Sequence, residues 1–160
     1  MAGQWIFDEI GGTVGREGFD LLIGKWLGTG SARRVYVLAQ DRTKVIKFET
    51  KAQSFQNVQE WELWKSVSGT KWEEYFAPCY DISISGSALI QARTMPTEKR
   101  PKWIPEFMND VQLSNFGRYK GRIVFHDYGY HNTNWLAKKK AILVKTKDVS
   151  ADESIKEVTI

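Results

Sequence analysis

The sequence predicts an α+β domain: an antiparallel sheet of about five strands packed on one main helix, followed by a short hairpin segment. Three observations carry that expectation. Residues 34–48 alternate in the manner of a β-hairpin, residues 53–67 contain neither Gly nor Pro, and residues 110–129 hold a second hairpin around "RYKG". At 160 residues, with 42% apolar and 13% aromatic residues, the chain has the length and composition to bury one core. It divides into an N-terminal extension (1–24), a central domain (25–147) and a polar C-terminal tail (148–160).

Taken in order, the first 24 residues are rich in glycine, which disfavours a long helix, although "EGFDLLIGKWL" has the composition of a short one. In "LGTGSARRVYVLAQDRTKVIKFE", Arg34, Tyr36 and Leu38 alternate with Val35 and Val37. The turn signal "AQDR" follows, and Val45-Ile46-Lys47-Phe48 resumes an extended run. Residues 53–67 then form the helix, stopped by Gly69. At 100° per residue Glu60 lies on one stripe with Leu63, Trp64 and Val67, whereas Glu62 points away. A carboxylate on an apolar stripe needs a partner, because burying it alone is costly. Two short strands meet at Ser85-Gly86. A connection marked by Pro96, Pro101 and Pro105 leads to the late hairpin, and a final strand is expected at Ala141 to Lys145.

Several function classes are disfavoured at once. The net charge of +4 is mild and its 23 basic residues are scattered. The run Lys138-Lys139-Lys140 reads better as a solvated tail than as a nucleic-acid surface, so nucleic acid is not an expected partner. A single cysteine, Cys79, permits no intrachain disulfide or zinc cluster and reads as a buried thiol. His126 and His131 read as local hydrogen-bonding residues. No apolar run approaches the ~20 residues of a membrane span, and no signal-peptide pattern opens the chain, so the expectation is a cytoplasmic protein without membrane contact.

The chemistry-bearing residues gain meaning from their order. Asp110 and Asn115 stand five apart, but eight Asp and five Asn would give about 0.25 such pairs by chance, so the spacing alone proves little. Around it, a glycine turn opens a hairpin, a lysine sits in the next strand, and an acid faces inward on the following helix. An extended strand, Asp-x4-Asn, a hairpin and Asp-x-Gly complete the series.

This order resembles the protein kinase superfamily, which includes small-molecule kinases such as the aminoglycoside phosphotransferases. "LGTGSARRVY" looks like the glycine-rich loop, "VIKFE" like the lysine strand and "QEWELWKSV" like the helix with its paired glutamate. "ALIQART" looks like the hinge strand, "NDVQLSN" like the catalytic loop and "IVFHDYG" like the metal-binding Asp-Phe-Gly. The resemblance implies a kinase-like N-lobe with a truncated catalytic-hairpin part, using ATP and Mg²⁺. It implies catalytic roles for Asp110, Lys47 and Glu60. Nucleotide contacts would come from Gly28, Thr29, Gly30, Ser31, Lys47, Gln91, Ala92 and Arg93, and metal contacts from Asn115 and Asp127. Phosphoryl transfer asks for charge neutralisation and in-line positioning, which these residue types supply.

The pattern also departs from the family. The third glycine of the loop is missing, and Met108-Asn109 stand where His-Arg usually precede the aspartate. Only about thirty residues follow Gly129, so most of a C-terminal lobe is absent, an economy that suits a phage or mobile-element genome. A second copy of the chain or a host protein would then supply the missing surface, and the compartment would be the host cytoplasm. Two readings follow: a protein Ser/Thr phosphotransferase, autophosphorylation included, or a pseudokinase that grips a protein partner. A small-molecule kinase ranks last for want of substrate-binding helices, behind a chance α+β domain with a basic tail.

Overall fold

Runs of β-branched and aromatic residues, separated by tight turns, build a five-stranded antiparallel sheet in which the first three strands lie side by side, followed by the fifth and then the fourth. The computed structural model describes residues 20–51, 53–131 and 141–146. The N-terminal extension up to residue 19, the Lys138–Lys140 run and the C-terminal tail lie outside the described residues. The strands are β1 (Ile23–Thr29), β2 (Arg33–Leu38), β3 (Lys44–Glu49), β4 (Cys79–Ile82) and β5 (Ala88–Ala92). Helix α1 (Gln56–Val67) connects β3 to β4 and packs on one face of the sheet.

That sheet has two chemically different faces. Val35 pairs with Lys47 and Arg33 with Glu49, while Tyr36 pairs with Ile46 and Arg34 with Phe48. Directly paired residues share a face, so the pleat separates these sets. Ile46 and Phe48 join Leu22, Leu38, Ala88 and Ile90 in an apolar cluster on the side away from the helix. On the helix side, Leu89, the partner of Lys47, packs with Leu63 and Val67 of α1. Glu60 is wholly buried on that same stripe, as the periodicity requires, and Glu62 is exposed beside Lys65.

The larger core continues from α1 into the later elements. Strand β7 (Phe116–Tyr119) pairs with β8 (Arg122–Phe125), and β6 (Trp103–Pro105) pairs with β9 (Leu143–Lys145). Phe76 is the hub, with ring centroids 5.1 Å from Tyr128, 5.6 Å from Phe125 and 6.1 Å from Phe107. Burying each such side chain contributes roughly 1.5–3 kcal/mol, and this packing fixes where the hairpin sits. Its turn places Lys120 at φ 46° and Gly121 at φ 79°, the left-handed pair that a two-residue hairpin favours. At Gly117 a Cβ would lie 2.2 Å from Thr94 Oγ1 and 2.8 Å from His126 Nδ1, so only glycine admits that approach.

Two sequence expectations shift. The helix begins at Gln56 rather than at 53, because Gln53 and Phe55 adopt left-handed conformations. In "EGFDLLIGKWL" only residues 20–22 are helical among those described, and β1 takes over at Ile23. Pairing with β2 overrides the local helical composition. Of the tryptophans, Trp72 is buried and Trp61 and Trp64 pack against the core, while Trp26 and Trp103 are exposed. Among the described residues no helix is long and apolar enough to cross a membrane.

Candidate functional site

The helix-facing side of the sheet, the buried stripe of α1 and the end of β8 converge on one cluster of charges. Lys47 points from β3 toward α1, and its Nζ donates to Glu60 Oε2 at 2.9 Å and to the His126 carbonyl. Glu60 Oε1 accepts from Arg33 Nη2 at 2.8 Å and from the Tyr128 backbone N–H at 2.9 Å. Arg33 Nη2 also reaches Asp127 Oδ1, and Nη1 donates to Asn57 Oδ1 at 3.2 Å. Asn57 in turn donates from Nδ2 to the Lys47 carbonyl at 3.1 Å, while its own N–H donates to Glu49 Oε1 at 2.8 Å. Every charged head in the cluster is therefore paired, as buried ions must be.

Burial is uneven across the cluster, and the difference decides who can meet a ligand. The side chains of Glu60, Arg33 and Lys47 are 0%, 4% and 5% exposed, whereas that of Asp127 is 45% exposed. Burial alone would raise the Glu60 carboxyl, but the charges of Arg33 and then Lys47 outweigh it and hold it well below the usual range. Burial works against the Arg33 cation, yet Glu60 and then Asp127 hold it above its ordinary value, so it stays charged. Asp127 moves the other way. Burial and then the negative charge of Glu60 raise its carboxyl, against the pull of Lys47 and Arg33. Of the two acids, Glu60 owns the cations and Asp127 is the weaker claimant.

The late hairpin is anchored by its own polar contacts. The N–H groups of His126 and Asp127 both point to the Asn115 carbonyl, at 2.9 and 3.3 Å, which ties together the two ends of the ribbon. Asn115 Nδ2 donates to the Asp110 carbonyl at 3.3 Å. His126 Nε2 donates to the Ser114 carbonyl at 2.8 Å, which leaves Nδ1 to accept from the Thr94 hydroxyl at 2.6 Å. Burial first, and then the Lys47 charge, lower the His126 pKa to about 4, so the ring is neutral here. Nearby, the Tyr128 hydroxyl donates to the Ala77 carbonyl at 2.7 Å beside Cys79, whose thiol burial pushes up to about 12. Cys79 is a packed, unreactive thiol in keeping with its sequence reading.

Of the expected site residues, Lys47, Glu60 and Asp127 are brought together, with Asn115 joined through backbone contacts. Asp110 is partly exposed at the turn before Leu113–Asn115, where its Oδ1 accepts from the Gln112 N–H at 3.4 Å. Gly28 and Thr29 end β1, paired with Val35 and Arg34, and the exposed Gly30 and Ser31 lead into β2. The Gly30 N–H is used inside that connection, donating to the Arg33 carbonyl at 2.8 Å. Gln91 and Ala92 are buried, and the N–H groups of Ala92 and Arg93 donate to the Pro78 and Thr43 carbonyls. The Lys47–Glu60 pair and the end of the hairpin are in direct contact, through Arg33 to Asp127 and Lys47 to the His126 carbonyl. A shallow pocket of about 230 Å³ lies further along, lined by Glu49, Phe55, Val58 and Gly86.

Sequence reasoning missed Arg33, Asn57 and the backbone donor of Tyr128. Arg33 was recoverable: it is in phase with Val35 and Val37, so the same alternation that places Lys47 on the helix side places Arg33 there too. Asn57 follows one turn before Glu60 on the buried stripe. No family model and no curated protein matches this sequence, so the site is read from its own geometry.

Proposed function

We propose that this chain is a phosphotransferase of the minimal protein-kinase type, using ATP with Mg²⁺ and acting on a protein hydroxyl, its own included. One observation supports the reading: the buried Lys47–Glu60 pair, 2.9 Å apart, joins β3 of a β1-β2-β3-β5-β4 sheet to α1, with Asp127 in the same cluster. Lys47 would offer its ammonium to the phosphates as a point charge, with Glu60 orienting it from the helix. Asp110, partly exposed before the hairpin, would orient the attacking hydroxyl. Asp127 and Asn115 are oxygen donors of the type Mg²⁺ takes. No group of three or more acids, histidines or cysteines able to hold a metal occurs among the described residues. That is compatible with an ion that uses one or two carboxylates and fills its shell with phosphate oxygens and water. Bound there, Mg²⁺ would neutralise charge on the transferring phosphoryl group. The acceptor hydroxyl would come from a protein substrate, a host partner or a second copy of the chain.

Incubation with γ-labelled ATP and Mg²⁺ tests this reading. Label is expected on the wild-type chain or on an added protein, and is expected to vanish in Lys47→Ala and Asp127→Ala. No label on any acceptor, together with no rise in melting temperature with ATP, ADP or GTP, would sink it.

A second reading is favoured by a specific contact. Arg33 stands three residues after Gly30, where a Gly-x-Gly-x-x-Gly loop would carry its third glycine, and its guanidinium holds Asp127. A chain locked in that state would be an inactive, partner-gripping module. Binding to a protein partner without label transfer, and with weak or no stabilisation by nucleotide, is its signature.

A further inference from the structure

We propose that Arg33 is the site's internal counter-ion and competes with divalent metal for Asp127, so that a cation enters this cluster only when the guanidinium leaves. The inference deepens the reading above, since the metal in question is the one that reading invokes. It stands on charge and geometry within the cluster.

Two cations, Arg33 and Lys47, face two carboxylates, Glu60 and Asp127, so the group is neutral as it stands. Asp127 is the one acid of the pair with a solvent-facing side chain, and any arriving metal must meet it first. Arg33 already occupies its Oδ1, and the guanidinium has little freedom to withdraw. Nη1 is held by Asn57 at 3.2 Å and Nη2 by Glu60 at 2.8 Å, with the side chain 4% exposed. A dication placed beside this fixed positive charge is repelled in a medium that screens poorly. Were Arg33 to swing out, Glu60 Oε1 would keep the Tyr128 N–H at 2.9 Å and Oε2 would keep Lys47. An Arg33-free state is therefore electrostatically supported, and in it Asp127 is free to bind metal.

The test uses Mn²⁺ alone as the probe, read by electron paramagnetic resonance, on the wild-type chain, Arg33→Gln, and the double variant Arg33→Gln/Asp127→Asn. Arg33→Gln should bind Mn²⁺ about tenfold or more tighter than the wild type, as expected for removing a unit charge a few ångströms away. The Asp127→Asn change should abolish that gain. Equal affinity in wild type and Arg33→Gln, with both folded by circular dichroism, would overturn the proposal. If Arg33→Gln fails to fold, the wild type decides. Asp127-dependent Mn²⁺ binding by the wild type already at micromolar concentration would show that Arg33 is no barrier and overturns the proposal. Undetectable Asp127-dependent binding at millimolar Mn²⁺ supports it. Because nucleotide is absent, the outcomes separate from those of the labelling assay. A gain of Mn²⁺ binding without any ATP response sinks the phosphotransferase reading alone, and label transfer with unchanged Mn²⁺ affinity sinks only the role of Arg33.

Discussion

The two faces of the β2–β3 ladder differ by a one-residue step and by most of their chemistry. On one, Ile46 and Phe48 pack with Leu38, Ala88 and Ile90, where shape and area decide stability. On the other, Lys47 and Arg33 are buried and depend on Glu60 and Asp127, which arrive from α1 and from the end of β8. Stabilisation on the apolar face is spread over many weak contacts. On the charged face it rests on a few groups, each costly to strand.

The largest expected effect that would sharpen this contrast is Glu60→Ala. Losing the shared acceptor strands both cations, and urea titration should show a loss of about 3–5 kcal/mol. A loss below about 1 kcal/mol would break the contrast. Acid should come next. Glu60 is held below its ordinary 4.5, so its contribution is present above that pH and fades as pH falls beneath it. His126 adds an earlier phase. With the ring lowered from 6.5 to about 4, the unfolded chain takes a proton first, so stability declines from pH 6.5 to about 4 and the decline then stops. That phase is worth about 3 kcal/mol at full strength and should be missing from His126→Gln. On the apolar face, Ile46→Val should cost about 0.5–1.5 kcal/mol, and by the same amount at pH 5 and pH 7.5. A pH-dependent cost there would mean that the faces are coupled. The smallest effect is Lys65→Ala. Its exposed pairing with Glu62 should register at no more than about 0.5 kcal/mol in thermal melts.

Much of this arrangement was legible in the sequence, for identifiable reasons. The inward position of Glu60 follows from helical periodicity with Leu63 and Val67, and the burial of those three residues bears it out. The hairpins at Ser85-Gly86 and "RYKG" announced themselves through their turns, whose glycines adopt φ 75° and 79°. Strand β1 was harder, because Gly24 and "KWL" carry no strand signal of their own and the pairing with β2 supplies one. The contact between Arg33 and the hairpin end was invisible to pattern reading. A sequence states that Arg33 faces the helix side, but not that a guanidinium there reaches a residue 94 positions away. Such a contact depends on how far the aromatic core around Phe76 draws the hairpin in.

The contacts around Glu60 also set an order of events. Lys47 lies 13 residues away along the chain, while the Tyr128 amide lies 68 away. Closing the long loops is entropically slow and comes after local pairing. A nascent chain with only its sheet and helix formed would hold Glu60 with part of its complement and Arg33 without Asp127. Completion of the ribbon ending at Phe125 is then the step that seals the interior, and truncation upstream of Tyr128 should leave a product that chaperones and proteases recognise as unfinished.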